Sequence, residues 1–469
     1  MQQIKLEPGS FRDRDGRVFY RPDGVYRVLS AKALQDWETL RKTRFFARFV
    51  ESGRIIGTCQ VDGDLDVLSA RQASPWQATL KHERVAVISY PYEWSFSMLR
   101  DAAALQLDLL LAALDENMTI KDASSYNIQW RGSMPVFIDT PSLERATPGE
   151  PWVGYRQFCE LFLYPLMLQA YKNFPFHSLL RGRLDGIEPQ SANRLFGIRD
   201  RFRAGVFKHV YLQAIMQNRY ADKQTDTRGT LQRAGFNVEL IKANVRNLRR
   251  LLGKLDWSES KSEWGDYTQQ HNYSDQDHQI KERFIETMSG RCKPDVAWDI
   301  GCNTGQFSRI VARHARTVVA MDADHLTIEK LYLSLKAQGP KNILPLVSNL
   351  ADPSPNQGWR GEERKDLTGR AAPNLVLCLA LIHHVVITAN IPLREFIRWL
   401  SELGADLIIE FVSKQDTMVQ RLLQNKPDKY DDYELDYFEA CLAEFFDVRE
   451  KAVLTSGNRH LYFARRRAV

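Results

Sequence analysis

Residues 296–308 read Val-Ala-Trp-Asp-Ile-Gly-Cys-Asn-Thr-Gly-Gln-Phe-Ser, and this stretch decides the fold of the carboxyl-terminal half of the chain. Its apolar start predicts a buried strand with Asp299 at its end. Gly301 and Gly305 predict a tight turn into a helix, because a residue without a Cβ allows both the turn and a close approach of the backbone. Asn303 lies between them and is the non-glycine residue that best tolerates left-handed backbone. The stretch therefore predicts a strand–turn–helix unit that can approach a ligand closely.

A second carboxylate follows the next strand. Residues 318–322 read Val-Val-Ala-Met-Asp, and Asp322 stands 17 residues past Gly305. An acid at this place suits a ribose diol, because two hydroxyls need a charged acceptor. A dinucleotide-binding turn would need glycine at position 306, where this chain has Gln306. The two strands together predict a nucleotide-like ligand on an α/β sheet and argue against NAD or FAD.

Strands and helices alternate after residue 275, which is typical of a parallel sheet. The turn at residues 456–458 separates the last two strands, so a terminal hairpin places one antiparallel strand in that sheet. The sequence therefore predicts an α/β, Rossmann-like doubly wound sheet with a carboxyl-terminal antiparallel hairpin. The predicted strands are residues 296–300, 317–321, 343–347, 374–380, 406–412, 447–454 and 459–464.

The segment Asp-Ile-Gly-Cys-Asn-Thr-Gly at residues 299–305 resembles the first motif of class I S-adenosylmethionine (SAM) methyltransferases, whose pattern is acid-x-Gly-x-Gly-x-Gly. The chain departs from that pattern at Asn303, which still meets the backbone requirement. With the later His-His and Ile-Glu-Phe-Val segments, residues 264–469 resemble the methyltransferases that include rhizobial nodulation-type proteins. The resemblance implies SAM as the cofactor and methyl transfer as the activity, and it selects no acceptor.

Ligands of doubly wound sheets lie at the carboxyl ends of the strands. Asp299 is expected to fix the glycine turn and, through the turn or a water molecule, to meet the amino-acid end of SAM. Asn349 would accept a bond from the adenine amino group, and Leu350 would stack on the ring. A turn without ligand contact is the alternative at Asp299 and at Asn349. The expected cofactor-binding residues are Asp299, Gly301, Asn303, Gly305, Asp322, Asn349 and Leu350.

The candidate catalytic residues are His383, His384 and Glu410. The histidines close the fourth strand, where one of them would overlook the sulfonium methyl and act as a general base. The alternative is that it orders a loop or packs against the cofactor, since many methyl transfers need alignment and not a base. Glu410 ends the fifth strand, either as a substrate anchor or as a salt-bridge partner. No metal-ligand spacing is present, so we expect no metal site.

The amino-terminal half carries a second pattern. Asp122 is followed five residues later by Asn127, and an apolar strand then ends in Asp139. This resembles the catalytic and metal loops of protein-kinase-like and aminoglycoside-phosphotransferase-like folds. The chain departs from those folds, since Lys121 stands where a histidine would be expected, and no glycine-rich loop or amino-lobe lysine stands out. We expect either a degenerate kinase-like domain that grips the substrate or an α+β accessory domain in which Asp122 and Asn127 cap a turn.

The length of 469 residues allows two domains with sizeable cores. We predict an α+β accessory domain at residues 1–252, with the kinase-like pattern, and a methyltransferase domain at residues 275–469. Within the accessory domain the sequence predicts a hairpin over residues 16–29 and helices over residues 31–50, 97–114, 152–171, 193–220 and 230–252. Residues 253–274, rich in Ser, Glu and Lys, are predicted to form a linker. Its aromatic residues either cover the cofactor or pack against neighbouring side chains.

The composition excludes several classes of protein. Hydrophobic residues make up 44% and charged residues 26%, as in ordinary globular proteins. The net charge of +6 is spread along the chain, so we expect no nucleic-acid partner. Six cysteines without paired spacing fit a reducing cytoplasm. No apolar run approaches the roughly 20 residues needed to span a bilayer, so a cytoplasmic protein without a membrane partner is expected.

The main hypothesis is an enzyme: a SAM-dependent methyltransferase acting on an oxygen or nitrogen acceptor, with the amino-terminal domain assisting substrate recognition. The aromatic-rich amino-terminal half favours a small-molecule or glycan acceptor. One alternative is a non-catalytic scaffold that binds SAM, and another is a bifunctional kinase-like and methyltransferase protein. The sequence leaves the oligomeric state open.

Overall fold

The computed structural model of the protein describes residues 5–62, 76–221, 237–257, 275–424 and 429–467. Most of the predicted linker, residues 258–274 with its aromatic side chains, lies outside the described residues. The contacts divide the chain into two compact units. Unit 1 is Met1–Trp130, Met134–Ser258 and Asn356–Arg364, and unit 2 is Arg131–Ser133, Glu259–Pro355 and Lys365–Val469.

The unit to which residues 356–364 belong differs from the sequence prediction, which includes them in the carboxyl-terminal domain. They group with unit 1 because their side chains bind unit 1. The Glu363 carboxylate accepts two hydrogen bonds from the Arg12 guanidinium, both at 2.7 Å. The Arg364 guanidinium carbon lies 4.1 Å from the centre of the Tyr126 ring. These partners are far apart in sequence, so local patterns do not reveal the grouping.

Unit 1 begins with a five-stranded antiparallel sheet in the order β1-β2-β3-β5-β4. Cross-strand partners Phe19 and Tyr26 stack with ring centres 5.3 Å apart, which stabilises the predicted hairpin of β2 and β3. The strands are β1 (Lys5–Leu6), β2 (Gly16–Arg21), β3 (Gly24–Leu29), β4 (Thr58–Val61) and β5 (Ala78–His82).

Two helices, Ala31–Leu40 and Arg44–Glu51, stand between β3 and β4. The sequence predicts one helix over residues 31–50. The helix divides because Thr43 has extended backbone and its hydroxyl accepts a hydrogen bond from the backbone N–H of Phe46, which begins a new helix. The apolar spacing continues through the break, so it could not reveal the division.

A long buried helix, Phe96–Asp115, follows the sheet and agrees with the prediction for residues 97–114. Two short ladders come next. In the first, β6 (Met118–Ile120) pairs antiparallel with β9 (Leu143–Arg145). In the second, β7 (Ile128–Arg131) pairs with β8 (Met134–Phe137).

Shorter helices complete unit 1. The predicted helix over residues 193–220 is interrupted at Gly197, which has extended backbone, and at Gly205. The φ angle of Gly205 is +82°, so a continuous helix cannot form there. The start of the predicted helix over residues 230–252 lies outside the described residues. The helical segments are Tyr155–Phe158, Cys159–Leu163, Tyr164–Lys172, His177–Gly182, Pro189–Leu195, Ile198–Phe202, Phe207–Tyr211, Leu212–Ala221 and Val238–Leu252.

Unit 2 contains a seven-stranded sheet in the order β12-β11-β10-β13-β14-β16-β15. The first five strands of this order are parallel, and β16 is antiparallel to both β14 and β15. This is the predicted α/β sheet with a carboxyl-terminal hairpin. The strands are β10 (Val296–Ile300), β11 (Thr317–Asp322), β12 (Ile343–Val347), β13 (Leu375–Cys378), β14 (Asp406–Val412), β15 (Phe446–Val453) and β16 (Arg459–Arg466).

The core of unit 2 lies around its central strands. All residues of β10 and β13 are buried, as expected for strands covered on both faces. The helices are Asp275–Cys292, Gln306–Val311, His325–Gln338, Leu393–Glu402, Thr417–Leu423 and Leu435–Phe445. Within the described ranges, no helix is long and apolar enough to cross a membrane.

Candidate functional site

The turn after β10 has the backbone that its sequence predicts. The φ angles of Gly301, Asn303 and Gly305 are +77°, +49° and +78°. The backbone N–H of Gly301 donates to the Met321 carbonyl at 2.8 Å, which ties the turn to β11. A Cβ at position 305 would lie 2.6 Å from a methyl carbon of Leu331, so only glycine fits there. The turn therefore depends on both the backbone freedom and the small size of glycine.

Asp322 joins the two halves of the motif. One of its carboxylate oxygens accepts from the backbone N–H of Asn303 at 2.9 Å, and the other accepts from that of Asp324 at 3.0 Å. Burial raises the pKa of Asp322, while these donors act in the opposite direction. A carboxylate has about four acceptor positions, so it can accept from a ligand as well as from the backbone. The geometry places an acid with spare acceptor capacity beside the glycine turn.

Asp299 is buried under the same turn. Its carboxylate accepts a hydrogen bond from the Ser308 hydroxyl at 2.5 Å, which ties the strand to the helix that follows. Burial raises the pKa of Asp299 to about 6. These contacts correspond to the turn-stabilising alternative, and contact with the amino-acid end of SAM stays a prediction.

The segment after β12 lies next to Asp322. The backbone N–H of Ser348 donates to the Asp322 carbonyl at 2.8 Å. Asn349 is exposed, and its side-chain oxygen accepts from the backbone N–H of Ala351 at 3.0 Å, as in an ordinary turn. Leu350 is partly buried. The roles predicted for Asn349 and Leu350 at the adenine stay predictions.

The two histidines differ in their surroundings. His383 is fully buried, and neither ring nitrogen has a hydrogen-bond partner among the described residues. Burial holds the pKa of His383 well below its usual value and lowers the pKa of His384 to about 4. His384 keeps partial exposure, and the two ring centres are 4.2 Å apart. Both rings are neutral at pH 7, and His384 is the more accessible of the two.

The surroundings of Glu410 correspond to a salt bridge, which is one of its two predicted roles. It has no exposed surface, and its carboxylate accepts from the Lys281 ammonium at 2.6 Å and from the Ala380 backbone N–H at 2.7 Å. The Arg459 guanidinium lies 3.5 Å away. Burial alone would raise the pKa of Glu410, but Lys281 and Arg459 outweigh it and keep this pKa below its usual value. Of the two predicted roles, the structure shows the salt bridge, because a substrate anchor needs an accessible carboxylate.

The comparisons with known proteins identify a relative that covers almost the whole chain. No protein-family model matches the chain. Nodulation protein NoeA of Rhizobium meliloti (strain 1021) is 31% identical over 456 residues, which cover 97% of this chain and 94% of NoeA. The chain belongs to the NoeA family. This assignment confirms the predicted relation to rhizobial nodulation-type proteins.

Solved structures with similarity to this NoeA-family chain include several methyltransferases. N-methyltransferase NodS from Bradyrhizobium japonicum WM9 is 13% identical, with a TM-score of 0.30, and the match covers 41% of this chain and 99% of NodS. Magnesium protoporphyrin IX methyltransferase (ChlM) from Synechocystis PCC 6803 is 16% identical, with a TM-score of 0.30, and the match covers 41% of this chain and 84% of ChlM. At such TM-scores the fold assignment rests on the strand order and register described above.

Sequence reasoning missed Lys281 and Arg459, which lie beside Glu410. Lys281 is buried on the helix Asp275–Cys292, on the same face as Asp277 and Phe284. Charged residues at helical spacing on an otherwise apolar face were the available signal. In the described part of the chain, no group of three His, Cys, Asp or Glu residues could hold a metal ion.

Proposed function

We propose that unit 2 is a SAM-dependent methyltransferase that acts on an oxygen or nitrogen of a small-molecule or glycan acceptor and releases S-adenosylhomocysteine. The observation that carries this proposal is the Asp322 carboxylate, which binds the Asn303 N–H beside the Gly301–Gly305 turn. A ribose-binding acid and a close-approach turn at the carboxyl ends of adjacent parallel strands suit an adenosine-containing ligand. The absence of glycine at Gln306 disfavours a dinucleotide.

Each part of the proposed site has one task. SAM, when bound, supplies an electrophilic methyl group on a sulfonium. Asp322 accepts the ribose hydroxyls, and the glycine turn gives backbone access to the amino-acid end, with Asp299 holding that turn through Ser308. Asn349 and Leu350 are proposed to contact the adenine. Glu410 is proposed to position the histidine loop, because its carboxylate holds the N–H of Ala380 at the start of that loop.

His384 is the proposed proton acceptor for the methyl acceptor. A histidine whose pKa is about 4 is neutral at pH 7 and can accept a proton, but it is a weak base. Alignment and exclusion of water therefore supply most of the proposed catalysis. His383, which is fully buried, is proposed to support the loop and not to contact the acceptor.

Asp322→Asn tests the proposed cofactor site. The amide keeps one oxygen for the Asn303 N–H, but it loses the charge and the acceptor of the Asp324 N–H. The two ribose bonds therefore weaken by roughly 1 kcal/mol or more each. We expect the affinities for SAM and S-adenosylhomocysteine to fall by about 30- to 100-fold, measured by calorimetric titration. Asp447→Asn, on the partly exposed strand β15, is the matched control and should change neither affinity. Equal affinities of Asp322→Asn and the unmodified chain would refute the ribose contact.

A scaffold that binds SAM without turnover is the alternative for unit 2. Binding alone does not separate it from an enzyme. Formation of S-adenosylhomocysteine from SAM in cell extract, dependent on the unmodified chain and lost with Asp322→Asn, supports the enzyme. Binding without such formation supports the scaffold.

For unit 1 we propose a degenerate kinase-like fold that helps to recognise the acceptor. Two features support this proposal. Asp122 lies between β6 and β7 in sequence, and Asp139 lies between β8 and β9. The strands pair as β6 with β9 and β7 with β8. The sheet carries its helices between β3 and β4 and is followed by the long helix Phe96–Asp115. The order of strands, long helix and acids supports the resemblance, which implies one helix beside the strands where this chain has two.

The contacts of the two acids favour recognition over phosphoryl transfer. In kinases, the acid at the position of Asp139 holds magnesium, and a lysine on the third strand binds phosphates. Here Arg27 of β3 binds the Asp139 carboxylate at 2.5 Å. Asp122 accepts from the Ser124 backbone N–H at 2.9 Å and so caps its own turn. Arginine stays protonated in proteins, so Arg27 remains charged and holds the Asp139 carboxylate in an ion pair.

Nucleotide binding tests the assignment of unit 1. We expect ATP with MgCl2 to leave the thermal unfolding of the intact chain unchanged, because Arg27 occupies the Asp139 carboxylate. A SAM-induced shift in the same sample serves as the control for a folded protein. Magnesium-dependent ATP stabilisation that Asp139→Ala abolishes would overturn the degenerate assignment and support the bifunctional alternative.

A further inference from the structure

We propose that residues 194–216 of unit 1 form a surface that binds anionic lipid bilayers. This surface, the apolar–basic segment, contains several large apolar side chains that are exposed to solvent. Phe202 is 90% exposed, Ile198 is 74% exposed and Phe207 is 50% exposed. Leu195, Leu212 and Met216 are also exposed. Single exposed apolar residues are ordinary, but six large ones between residues 195 and 216 indicate a binding surface.

Basic residues are interleaved in sequence with these apolar residues. The segment contains Arg194, Arg199, Arg201, Arg203 and Lys208, against one acid, Asp200. Asp200 is buried and already binds Lys172 at 2.9 Å and Arg203 at 3.3 Å, so it offers little repulsion to an anion. Apolar side chains among basic ones match the boundary between anionic headgroups and acyl chains.

The local fold holds the apolar side chains outward. The Asp200 carboxylate accepts from the backbone N–H of Gly197 at 2.8 Å and fixes the short helix Ile198–Phe202. The Arg201 guanidinium carbon lies 3.9 Å from the centre of the Tyr211 ring, which links this short helix to the next one. An ordered segment loses less conformational entropy on binding than a flexible one.

Other partners fit these features less well. A nucleic acid would use the arginines, but exposed Ile198 and Phe202 add nothing to phosphate binding. A second copy of the chain would bury the apolar side chains, but it would also bring like charges together. The expectation of no membrane partner rests on the absence of a spanning run. Binding in the plane of the interface needs no such run.

Co-sedimentation of the intact chain with vesicles tests this proposal. We expect binding to vesicles of phosphatidylcholine mixed with phosphatidylglycerol, weaker binding to phosphatidylcholine alone, and loss of binding as salt increases. Arg194→Gln with Arg199→Gln should weaken partitioning about fivefold per charge, roughly 25-fold together. Ile198→Ser with Phe202→Ser should weaken it about tenfold or more, because the inserted apolar area is lost.

A matched control comes from the helix Val238–Leu252. Leu240→Ser with Arg246→Gln removes an exposed apolar and an exposed basic residue elsewhere in unit 1 and should leave partitioning unchanged. Three outcomes would overturn the proposal. The first is no binding to anionic vesicles, and the second is an equal loss of partitioning in the control variant. The third is a concentration-dependent dimer, or a nucleic-acid complex, that accounts for the effects of the substitutions. Unchanged thermal unfolding of the variants shows that the fold is kept.

Discussion

Glu410→Ala is expected to lower the free energy of unfolding of unit 2 by about 3–5 kcal/mol, because it leaves a buried cation without its partner. Lys281 is buried and binds Glu410 at 2.6 Å, so its ammonium would lose a charged partner at a place away from bulk water. The Ala380 N–H loses its acceptor as well. Chemical unfolding followed by circular dichroism measures the loss, with the transition of unit 2 identified as the one that S-adenosylhomocysteine shifts.

The double variant Lys281→Met with Glu410→Gln separates the charge effect from packing. It removes both buried charges of the pair, while Arg459 keeps its ion pair with Asp416 at 2.7 Å. We expect the double variant to recover much of the lost stability, since a buried ion pair can often be replaced by neutral groups at small cost. Stability of Glu410→Ala equal to that of the unmodified chain would show that the ion pair is not formed.

The same pair has an expected pH dependence. The pKa of Glu410 is held below its usual value in the folded protein. A group of this kind contributes stability above its unfolded pKa, and the contribution is lost as the pH falls through the lowered folded pKa. The Glu410 carboxylate is therefore charged at neutral pH, where the unfolding measurement should be made. Burial also lowers the pKa of Lys281, so a strongly alkaline buffer would weaken the pair from the other side.

Gly305→Ala is expected to destabilise unit 2 by about 2–5 kcal/mol and to weaken SAM binding. Left-handed backbone costs a residue with a Cβ about 1–2 kcal/mol, and φ at position 305 is +78°. The added Cβ would also lie 2.6 Å from Leu331, so the helix His325–Gln338 or the turn must shift, at a further cost of about 1–3 kcal/mol. Chemical unfolding and SAM titration measure the two effects.

Gly457→Ala is the matched control for this substitution. Its φ is +72°, and no atom lies within 4 Å of an added Cβ. It should therefore show only the backbone cost, about 1–2 kcal/mol, with unchanged SAM affinity. The difference between the two variants reports the contact with Leu331. Equal effects of the two variants on both stability and affinity would contradict the close packing of the turn.

The features that the sequence predicts well are local. The strands β10, β12 and β14 match their predicted bounds, because continuous apolar runs between turns are enough to define them. The left-handed angles at Gly301 and Gly305 follow from residue type. The helix boundaries near Thr43 and Gly197 were not predicted, because apolar spacing continues on either side of each interruption.

The features that the sequence did not reveal depend on distant contacts. Lys281 and Glu410 are 129 residues apart, so no spacing rule joins them. Residues 356–364 group with unit 1 through the Arg12–Glu363 ion pair, although they lie between two strands of unit 2 in sequence. Exposure of Phe202 likewise follows only from the folded chain. Tertiary contacts and not local propensity decide these features.

The most direct test of SAM-dependent function is calorimetric titration of the intact chain with SAM, S-adenosylhomocysteine and NAD. We expect binding of SAM and of S-adenosylhomocysteine in the micromolar range, on the order of −8 kcal/mol, and no binding of NAD. The Asp322 carboxylate and the Gly301–Gly305 turn are the reasons for this expectation. Failure of SAM and S-adenosylhomocysteine to bind the folded chain, or binding of NAD in their place, would contradict it.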